Sequence, residues 1–208
     1  MHTVKEVKNY IRTYGWIEFL KIPLRPTFFK IFDFKRVQLQ YVSLENLPYR
    51  EPGEEINVKK ADYEDLYRLK DIGTNIEHFQ KLLESGNHIL IALHGDKVIG
   101  RLCVNFQLHK PWEKVLKLEP DEAWGENAFV LPEYRGKGIY SAMYSMATQM
   151  LKEQGFKRMF VIISFRNHKS MKIHRKLGGK EIGWITYIKF LGFEKIWFKG
   201  DRVWSVGY

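Results

Sequence analysis

Apolar residues recur along this chain with two periods, and the shorter period predicts strands. Alternating apolar and polar positions are typical of half-buried strands, and a short unbroken apolar run is typical of a central one. Seven segments show one of these patterns: 37–42, 88–93, 97–104, 123–130, 159–163, 182–191 and 193–204. The Gly95-Asp96 pair favours a hairpin between the second and third segments, and Gly192 favours another between the last two.

The longer period, of three to four residues, predicts helices between these strands. Residues 61–84 contain two such patterns, separated by Gly73-Thr74-Asn75, so we expect two helices there. Residues 138–154 form a third, and residues 167–177 a fourth that stops at Gly178-Gly179. The apolar residues of the third helix are Ile139, Ala142, Met143, Met146 and Met150. Residues 44–58 are rich in Pro and Glu and are predicted to be a connection.

Residues 1–35 precede this pattern and are predicted to form an aromatic and basic helical arm. Apolar residues at Val4, Val7 and Ile11 fit one face of an amphipathic helix. A run of Trp, Phe, Leu and Ile interleaved with Lys and Arg follows. Such a segment can fold onto its own domain or a second subunit, lie on a membrane surface, or contact an acidic carrier protein. Nucleic acid is the least favoured partner, and we place the domain boundary between residues 35 and 36.

Composition restricts the class of protein. The chain has 208 residues, of which 45% are hydrophobic, enough for one well-packed domain and an appendage. No apolar run reaches the roughly 20 residues that span a bilayer, and the N-terminus does not resemble a signal peptide. Cys103 is the only cysteine, which fits a reducing compartment, so we expect the cytoplasm. The net charge of +10 suits a phosphate-bearing ligand, although it would also suit nucleic acid.

The strand 123–130 leads into a basic turn, Pro132-Glu133-Tyr134-Arg135-Gly136-Lys137-Gly138, that opens the third helix. The first amides of a helix have no partner within it and carry partial positive charge. Gly136 and Gly138 remove side chains that would keep a ligand from those amides, and Arg135 and Lys137 add charge. The turn therefore predicts a phosphate site. It is neither the Gly-Lys-Ser/Thr loop of an ATPase nor the three-glycine dinucleotide fingerprint.

A second motif lies on the fourth helix, where Asn167, Ser170, Met171 and His174 share one face. Together the two motifs resemble the GNAT superfamily of acyltransferases. There a strand ending in Val-x-Pro leads to Arg-Gly-x-Gly, and Asn-x-x-Ala/Ser is followed by Tyr and by Lys-x-Gly-Phe. The resemblance covers residues 36–205. It fails at three positions: His174 replaces the Tyr, Gly179 replaces the Phe, and Tyr140 stands where the family has Gly or Ala.

The resemblance implies a fold and a donor. The fold is a central mixed, mostly antiparallel sheet of about seven strands flanked by helices, in the α/β (α+β) class. The donor is acetyl-CoA, its pyrophosphate on the turn amides and its pantetheine arm on the Asn, and we expect no metal. The implied donor-binding residues are Phe129, Val130, Leu131, Arg135, Gly136, Lys137, Gly138, Ile139, Tyr140, Ser141, Asn167 and Ser170. We assign Tyr140 bulk at the helix start and no chemistry.

Acyl transfer to an amine needs a base, an oxyanion donor and a proton for the leaving thiolate. Glu126 is the first candidate for the base, since alternation places it on the same face as Ala128 and Val130; Glu122 is the second. The Val130 amide is the candidate oxyanion donor. His174, at the family's Tyr position, is the candidate acid, and we expect the helix end and nearby phosphates to favour its protonated form. Packing alone is the alternative for His174, and proton loss to solvent is the alternative for the carboxylates.

These motifs do not identify the acceptor. The resemblance implies that the break at 73–75 and the last hairpin determine which acceptor binds, and the loop 109–121 could also contribute to acceptor binding. We expect an N-acetyltransferase acting on a primary amine of a small molecule (an amino sugar, an amine or an amino acid). A protein lysine remains open as another acceptor, and a homodimer remains open as the assembly. The alternatives are an enzyme that takes long acyl chains from CoA or acyl carrier protein, and a non-catalytic module that binds CoA or nucleic acid.

Overall fold

The computed structural model describes residues 32–45, 47, 50–51, 53, 55–73 and 75–200. The strands are β1 (Phe32–Ser43), β2 (Ile56–Lys60), β3 (His88–His94), β4 (Lys97–Asn105), β5 (Glu122–Val130), β6 (Arg158–Ser164), β7 (Lys180–Phe190) and β8 (Phe193–Gly200). The longer helices are a 3₁₀ helix (Glu64–Ile72), α1 (Ile76–Glu84), α2 (Ile139–Glu153) and α3 (His168–Lys176). None of the described helices is both long and apolar enough to cross a membrane.

All eight strands form one mixed sheet in the order β2-β3-β4-β5-β6-β1-β7-β8. Among the strands that the structure describes, only β5 and β6 pair in parallel, and every other neighbouring pair is antiparallel. The predicted fold class is therefore confirmed, and the predicted strands and helices follow one another along the chain in the expected order, with one strand more than the seven expected. The end of the last predicted strand, 201–204, lies outside the described residues.

The sheet differs from the prediction at two places. Residues 56–60, which we assigned to a connection, form the edge strand β2 and pair with β3. The first strand begins at Phe32, so residues 32–35 of the predicted arm belong to β1. Residues 1–31 of the arm lie outside the described residues, and so do the predicted contacts of that arm with a membrane, a carrier protein or a second subunit.

Helices α2 and α3 cover one face of the sheet. Ile139, Ala142 and Met143 of α2 are buried against alternate residues of β3 to β6, together with Met171 of α3. This burial follows from the helical period of the apolar residues, and it holds the start of α2 firmly at the end of β5.

The other face is covered by the helices before β3 and by the loop before β5. Leu66 and Leu69 of the 3₁₀ helix and Phe79 of α1 pack on β3 and β4. In the loop 109–121, Trp112 and Leu116 pack beneath Trp124, which is fully buried. Lys114 of the same loop donates to Glu194 of β8 at 2.6 Å. The loop is therefore part of the core, and it connects the sheet centre to the last hairpin.

Gly179, one of the departures from the family pattern, has a packing reason. A Cβ at this position would lie 2.8 Å from the His174 carbonyl oxygen and 2.9 Å from the Gln40 side-chain oxygen. Cβ atoms are almost never found so close to backbone, so a larger residue would need the end of α3 to move. The tight junction between α3 and β7 thus excludes the Phe that the family carries.

Candidate functional site

The two parallel strands at the centre of the sheet separate as they run. β5 and β6 pair only over Glu122–Gly125 and Arg158–Val161, although both strands continue. Beyond this point β5 pairs only with β4, and β6 only with β1. A gap therefore opens in the middle of the sheet, between Glu126–Val130 and Ile162–Ser164.

A β-bulge lies on β5 where the gap opens. The register with β4 shifts between Arg101 and Cys103, and Asn127 has a φ of +51°. The extra residue resets the alternation of side chains. Val130 packs on the α2 face, whereas Glu126 lies on the opposite face beside Trp124. Our expectation that Glu126 and Val130 share a face is therefore wrong, because simple alternation does not count a bulge.

The Val130 amide points into the gap. Leu131 donates its amide hydrogen to Ile99 at 2.9 Å, so in an antiparallel ladder the neighbouring Val130 directs its backbone groups away from β4. The Val130 carbonyl oxygen accepts a hydrogen bond from Arg135 Nε at 3.0 Å. This bond ties the guanidinium of the turn to the end of the strand.

The turn after β5 presents a row of unpartnered amides. Among the residues that the structure describes, none accepts a hydrogen bond from the amides of Gly136 to Ser141. Gly136 and Gly138 have φ values of +85° and +78°, and a Cβ on either would meet open space. These conformations suit glycine, and no side chain of the described residues caps the start of α2. The amides, with the exposed Arg135 and Lys137 beside them, form a positive concavity of the kind that binds phosphate.

Glu126 is held at the edge of the gap by three polar side chains. Asn105 Nδ2 donates to one carboxylate oxygen at 2.6 Å, and Trp124 Nε1 donates to the other at 3.3 Å. His109 Nε2 lies 3.4 Å from that second oxygen. The Glu126 side chain is 13% exposed and His109 is 55% exposed, so the imidazole connects the carboxylate to solvent. Asn105, Trp124 and His109 were not predicted, since no sequence motif joins them to Glu126.

Glu122 lies in a different setting at the closed end of the same strand. Its carboxylate is fully buried and lies 2.8 Å from the Arg158 guanidinium of β6, and it also accepts the Glu119 amide at 3.1 Å. Here β5 and β6 are still paired. The structure thus gives Glu122 structural partners, away from the gap where Glu126 lies.

His174 lies in the last turn of α3, packed against the first turns of α2. Its side chain is 3% exposed, and its Nε2 lies 2.7 Å from the Tyr140 hydroxyl oxygen. The rings of Tyr140 and Tyr144 meet the imidazole edge-on, at centroid distances of 5.4 and 5.1 Å. Burial lowers the pKa of His174 from its ordinary 6.5 to about 4. The helix end was expected to act in the opposite direction, and desolvation outweighs it.

The remaining predicted side chains lie at the start of α3. Asn167 is the N-cap, and its Oδ1 accepts the Ser170 amide at 3.1 Å. This bond leaves the Asn167 amide nitrogen, on an exposed side chain, for another partner. Both residues follow β6 directly, so they lie on the other side of the gap from the turn after β5.

The comparisons with known proteins agree with this geometry. The model of the family described as "Acetyltransferase (GNAT) family" matches residues 44–179. The search of curated proteins returned no match.

Solved structures share the fold at low identity. A GCN5-related N-acetyltransferase from Sphaerobacter thermophilus has a TM-score of 0.60 at 13% identity, covering 82% of this chain and 56% of that one. A glucosamine N-acetyltransferase region of a fungal multidomain β-N-acetylglucosaminidase gives 0.53 at 18%, over 76% and 22%. An aminoglycoside acetyltransferase from an uncultured soil sample, in complex with sisomicin, gives 0.50 at 18%, over 61% and 90%. The chain thus spans little more than half of the first of these proteins and about a fifth of the second.

Proposed function

The chain belongs to the acetyltransferase (GNAT) family, and we propose that it transfers an acetyl group from acetyl-CoA to a primary amine of a small molecule by direct attack. The observation that carries this proposal is the row of unpartnered amides at the start of α2, beside the gap between β5 and β6. A thioester whose phosphates lie on those amides can extend its acyl arm into the gap.

The donor is bound by backbone more than by side chains. The amides of Gly136 to Ser141 hold the pyrophosphate, and Arg135 and Lys137 neutralise its charge. The Val130 amide, directed into the gap, bonds the acyl carbonyl oxygen and stabilises the oxyanion as it forms. The Asn167 amide nitrogen bonds the pantetheine arm. The side chains that line this path are Phe129, Leu131, Ile139, Tyr140 and Ser170.

Glu126 accepts the proton of the attacking amine. The hydrogen bonds from Asn105 and Trp124 fix its carboxylate at the gap, which is the requirement for a positioned base. Its contact with His109 offers the proton a route to solvent. Glu122 is the second candidate, and the Arg158 contact at the closed end of the strand favours Glu126 over it.

His174 lies beside Tyr140 on the face of the sheet that α2 and α3 cover, whereas the proposed base Glu126 lies on the opposite face. Because burial lowers the pKa of His174 to about 4, it is a neutral imidazole at neutral pH. Its role is therefore to bond a neighbouring group rather than to act as a cation.

The acceptor amine is chosen on the face that carries Glu126, since that face holds the base. The loop 109–121 and β8, connected by Lys114 and Glu194, border this side of the sheet. The similar folds named for glucosamine and aminoglycoside substrates make an amino sugar the first class to test. The family match favours catalysis over a non-catalytic binding module. A thiol-release assay also tests a long-chain acyl-CoA or acyl carrier protein as the donor.

Calorimetry of acetyl-CoA binding tests the donor site. Gly138→Asp places a carboxylate against the row of amides, so we expect it to abolish binding. Gly155→Asp is the matched control, because Gly155 follows the C-terminal end of α2, has a φ of +87° and also faces open space. The control carries the same backbone strain far from the turn and should bind like the parent. Equal affinity in the parent and in Gly138→Asp would refute the site.

A thiol-detecting assay then screens acceptors and donors. Amino sugars, alkyl amines and amino acids are tested with acetyl-CoA, long-chain acyl-CoA and acyl carrier protein. Thiol release that needs both acetyl-CoA and one amine class supports the proposal. A rate that rises with acyl chain length, or that appears only with the carrier protein, would replace acetyl by a longer chain.

A further inference from the structure

Two residues that depart from the family pattern meet in one hydrogen bond. Tyr140 lies in the first turn of α2 and His174 in the last turn of α3, and the hydroxyl oxygen is 2.7 Å from Nε2. The Tyr144 ring, in the next turn of α2, packs against both Tyr140 and His174. The phenol and the imidazole are therefore held together by packing from two helices.

Their protonation states follow from burial. Desolvation lowers the pKa of His174 to about 4 and raises the pKa of Tyr140 well above its ordinary 10. At neutral pH the imidazole is therefore uncharged and the phenol keeps its proton. A neutral imidazole is a far weaker acid than a phenol, so Tyr140 is the member of the pair that can give up a proton.

The hydrogen bond can run in either direction, and the surroundings of Nδ1 favour one. His174 Nδ1 is buried and has no hydrogen-bond partner among the described residues. If the phenol donates to Nε2, the imidazole proton lies on the buried Nδ1, where no described group accepts it; if Nε2 donates to the Tyr140 oxygen, the phenolic hydrogen is the donor without a partner. Each arrangement leaves one unpaired donor in the free protein, which is costly. An acceptor atom of a bound ligand would pair with the phenolic hydrogen, whereas Nδ1 is buried among the described side chains, so the ligand-bound site favours the proton on Nε2.

Tyr140 also stands at the ligand side of the pair. Its own amide belongs to the unpartnered row at the start of α2, and it is half-buried, whereas His174 is almost fully buried. We propose that the Tyr140 hydroxyl is the proton donor to the departing thiolate of the acyl donor, and that His174 is the positioning residue that orients it. This inference rests on the proposed function and identifies the acid for the same reaction.

The proton balance of the step is complete. The amine nitrogen bonds the carbonyl carbon, the carbon–sulfur bond breaks, and its electron pair goes to sulfur. The Tyr140 proton moves to that sulfur, while the amine proton moves to Glu126. The phenolate is stabilised by the hydrogen bond from His174 Nε2. It then takes one proton from solvent, and Glu126 releases one.

The test measures thiol release and acetyl-CoA affinity in paired variants. Tyr140→Phe removes only the hydroxyl, so we expect turnover to fall about 100-fold or more with the acetyl-CoA Kd within about three-fold, because only the transition state loses a partner. Tyr144→Phe is the matched control and should keep the parent's turnover. The acceptor is the best amine of the screen, or water, since hydrolysis also expels the thiolate.

His174 is tested through its coupling to Tyr140. Gln can keep a donor nitrogen near Nε2, so His174→Gln should retain more turnover than His174→Leu. If both residues serve one proton, Tyr140→Phe combined with His174→Leu should be no slower than the slower single variant. A nitrogen-15 spectrum of His174 in the parent with acetyl-CoA bound should show Nε2 protonated and no titration near pH 6.5.

A failure of this inference can be distinguished from a failure of the proposed function. Turnover of Tyr140→Phe within about three-fold of the parent, losses that multiply in the double variant, or an imidazole that titrates near 6.5 would each overturn this inference. None of these results affects acetyl-CoA binding, so the proposed function would stand. A parent that binds no acetyl-CoA would remove both. Thermal unfolding identifies any variant that fails to fold, and the spectrum of the parent then decides.

Discussion

Acid should destabilise this fold through His174, by an amount that follows from its burial. The imidazole has an ordinary pKa of 6.5 in the unfolded chain and a pKa of about 4 in the folded one. The unfolded state thus binds the proton more tightly, so stability is complete above pH 6.5 and is lost as the pH falls towards 4. The full difference corresponds to about 3 kcal/mol, of which about 2 kcal/mol is lost between pH 7 and pH 5.

Urea denaturation at pH 7 and pH 5 measures this loss. A loss of about 2 kcal/mol should lower the urea midpoint by roughly 1 M. Other groups also titrate in this range, so the comparison is between variants. His174→Gln cannot titrate and should lose about 2 kcal/mol less than the parent over the same interval. His168→Gln removes an exposed histidine of the same helix and should behave like the parent. Equal pH dependence in the parent and in His174→Gln would refute the reasoning.

Two further substitutions test the base and the packing behind the acid. Glu126→Gln keeps the hydrogen bond from Asn105 but cannot accept a proton, so turnover should fall about 100-fold while calorimetry finds acetyl-CoA affinity unchanged. Turnover equal to the parent's would assign the amine proton to solvent. Gly179→Ala drives a Cβ towards the His174 carbonyl oxygen and should cost about 1–3 kcal/mol in urea denaturation. An unchanged midpoint would mean that the end of α3 moves freely.

The elements that depend on local pattern were predictable. The period of Ile139, Ala142 and Met143 identified α2 and its buried face, and Gly136 and Gly138 identified the turn that leaves amides free. Both signals lie within a few consecutive residues, so they need no knowledge of the rest of the fold. The edge strand β2 was missed because Ile56–Lys60 buries little and is held mainly by backbone pairing with β3.

The chemistry of the site depended on contacts between distant segments. The bulge at Asn127 turns Glu126 away from the face of Val130, and nothing in the alternation announces it. Helix-end electrostatics predicted a protonated His174, whereas the two tyrosines of α2 bury it. One signal was present in the sequence: α2 and α3 each carry a residue that departs from the family pattern. A pair of departures at positions that can touch indicates compensation, and here the pair is Tyr140 and His174.

The bulge on β5 has a kinetic consequence for the proposed reaction. Because it places Glu126 on one face of the sheet and Val130 on the other, the amine and the thioester would approach the same gap from opposite sides. Neither substrate would then block the path of the other, and each product could leave by the route its precursor used. Binding in either order would follow, with double-reciprocal plots that intersect rather than run parallel.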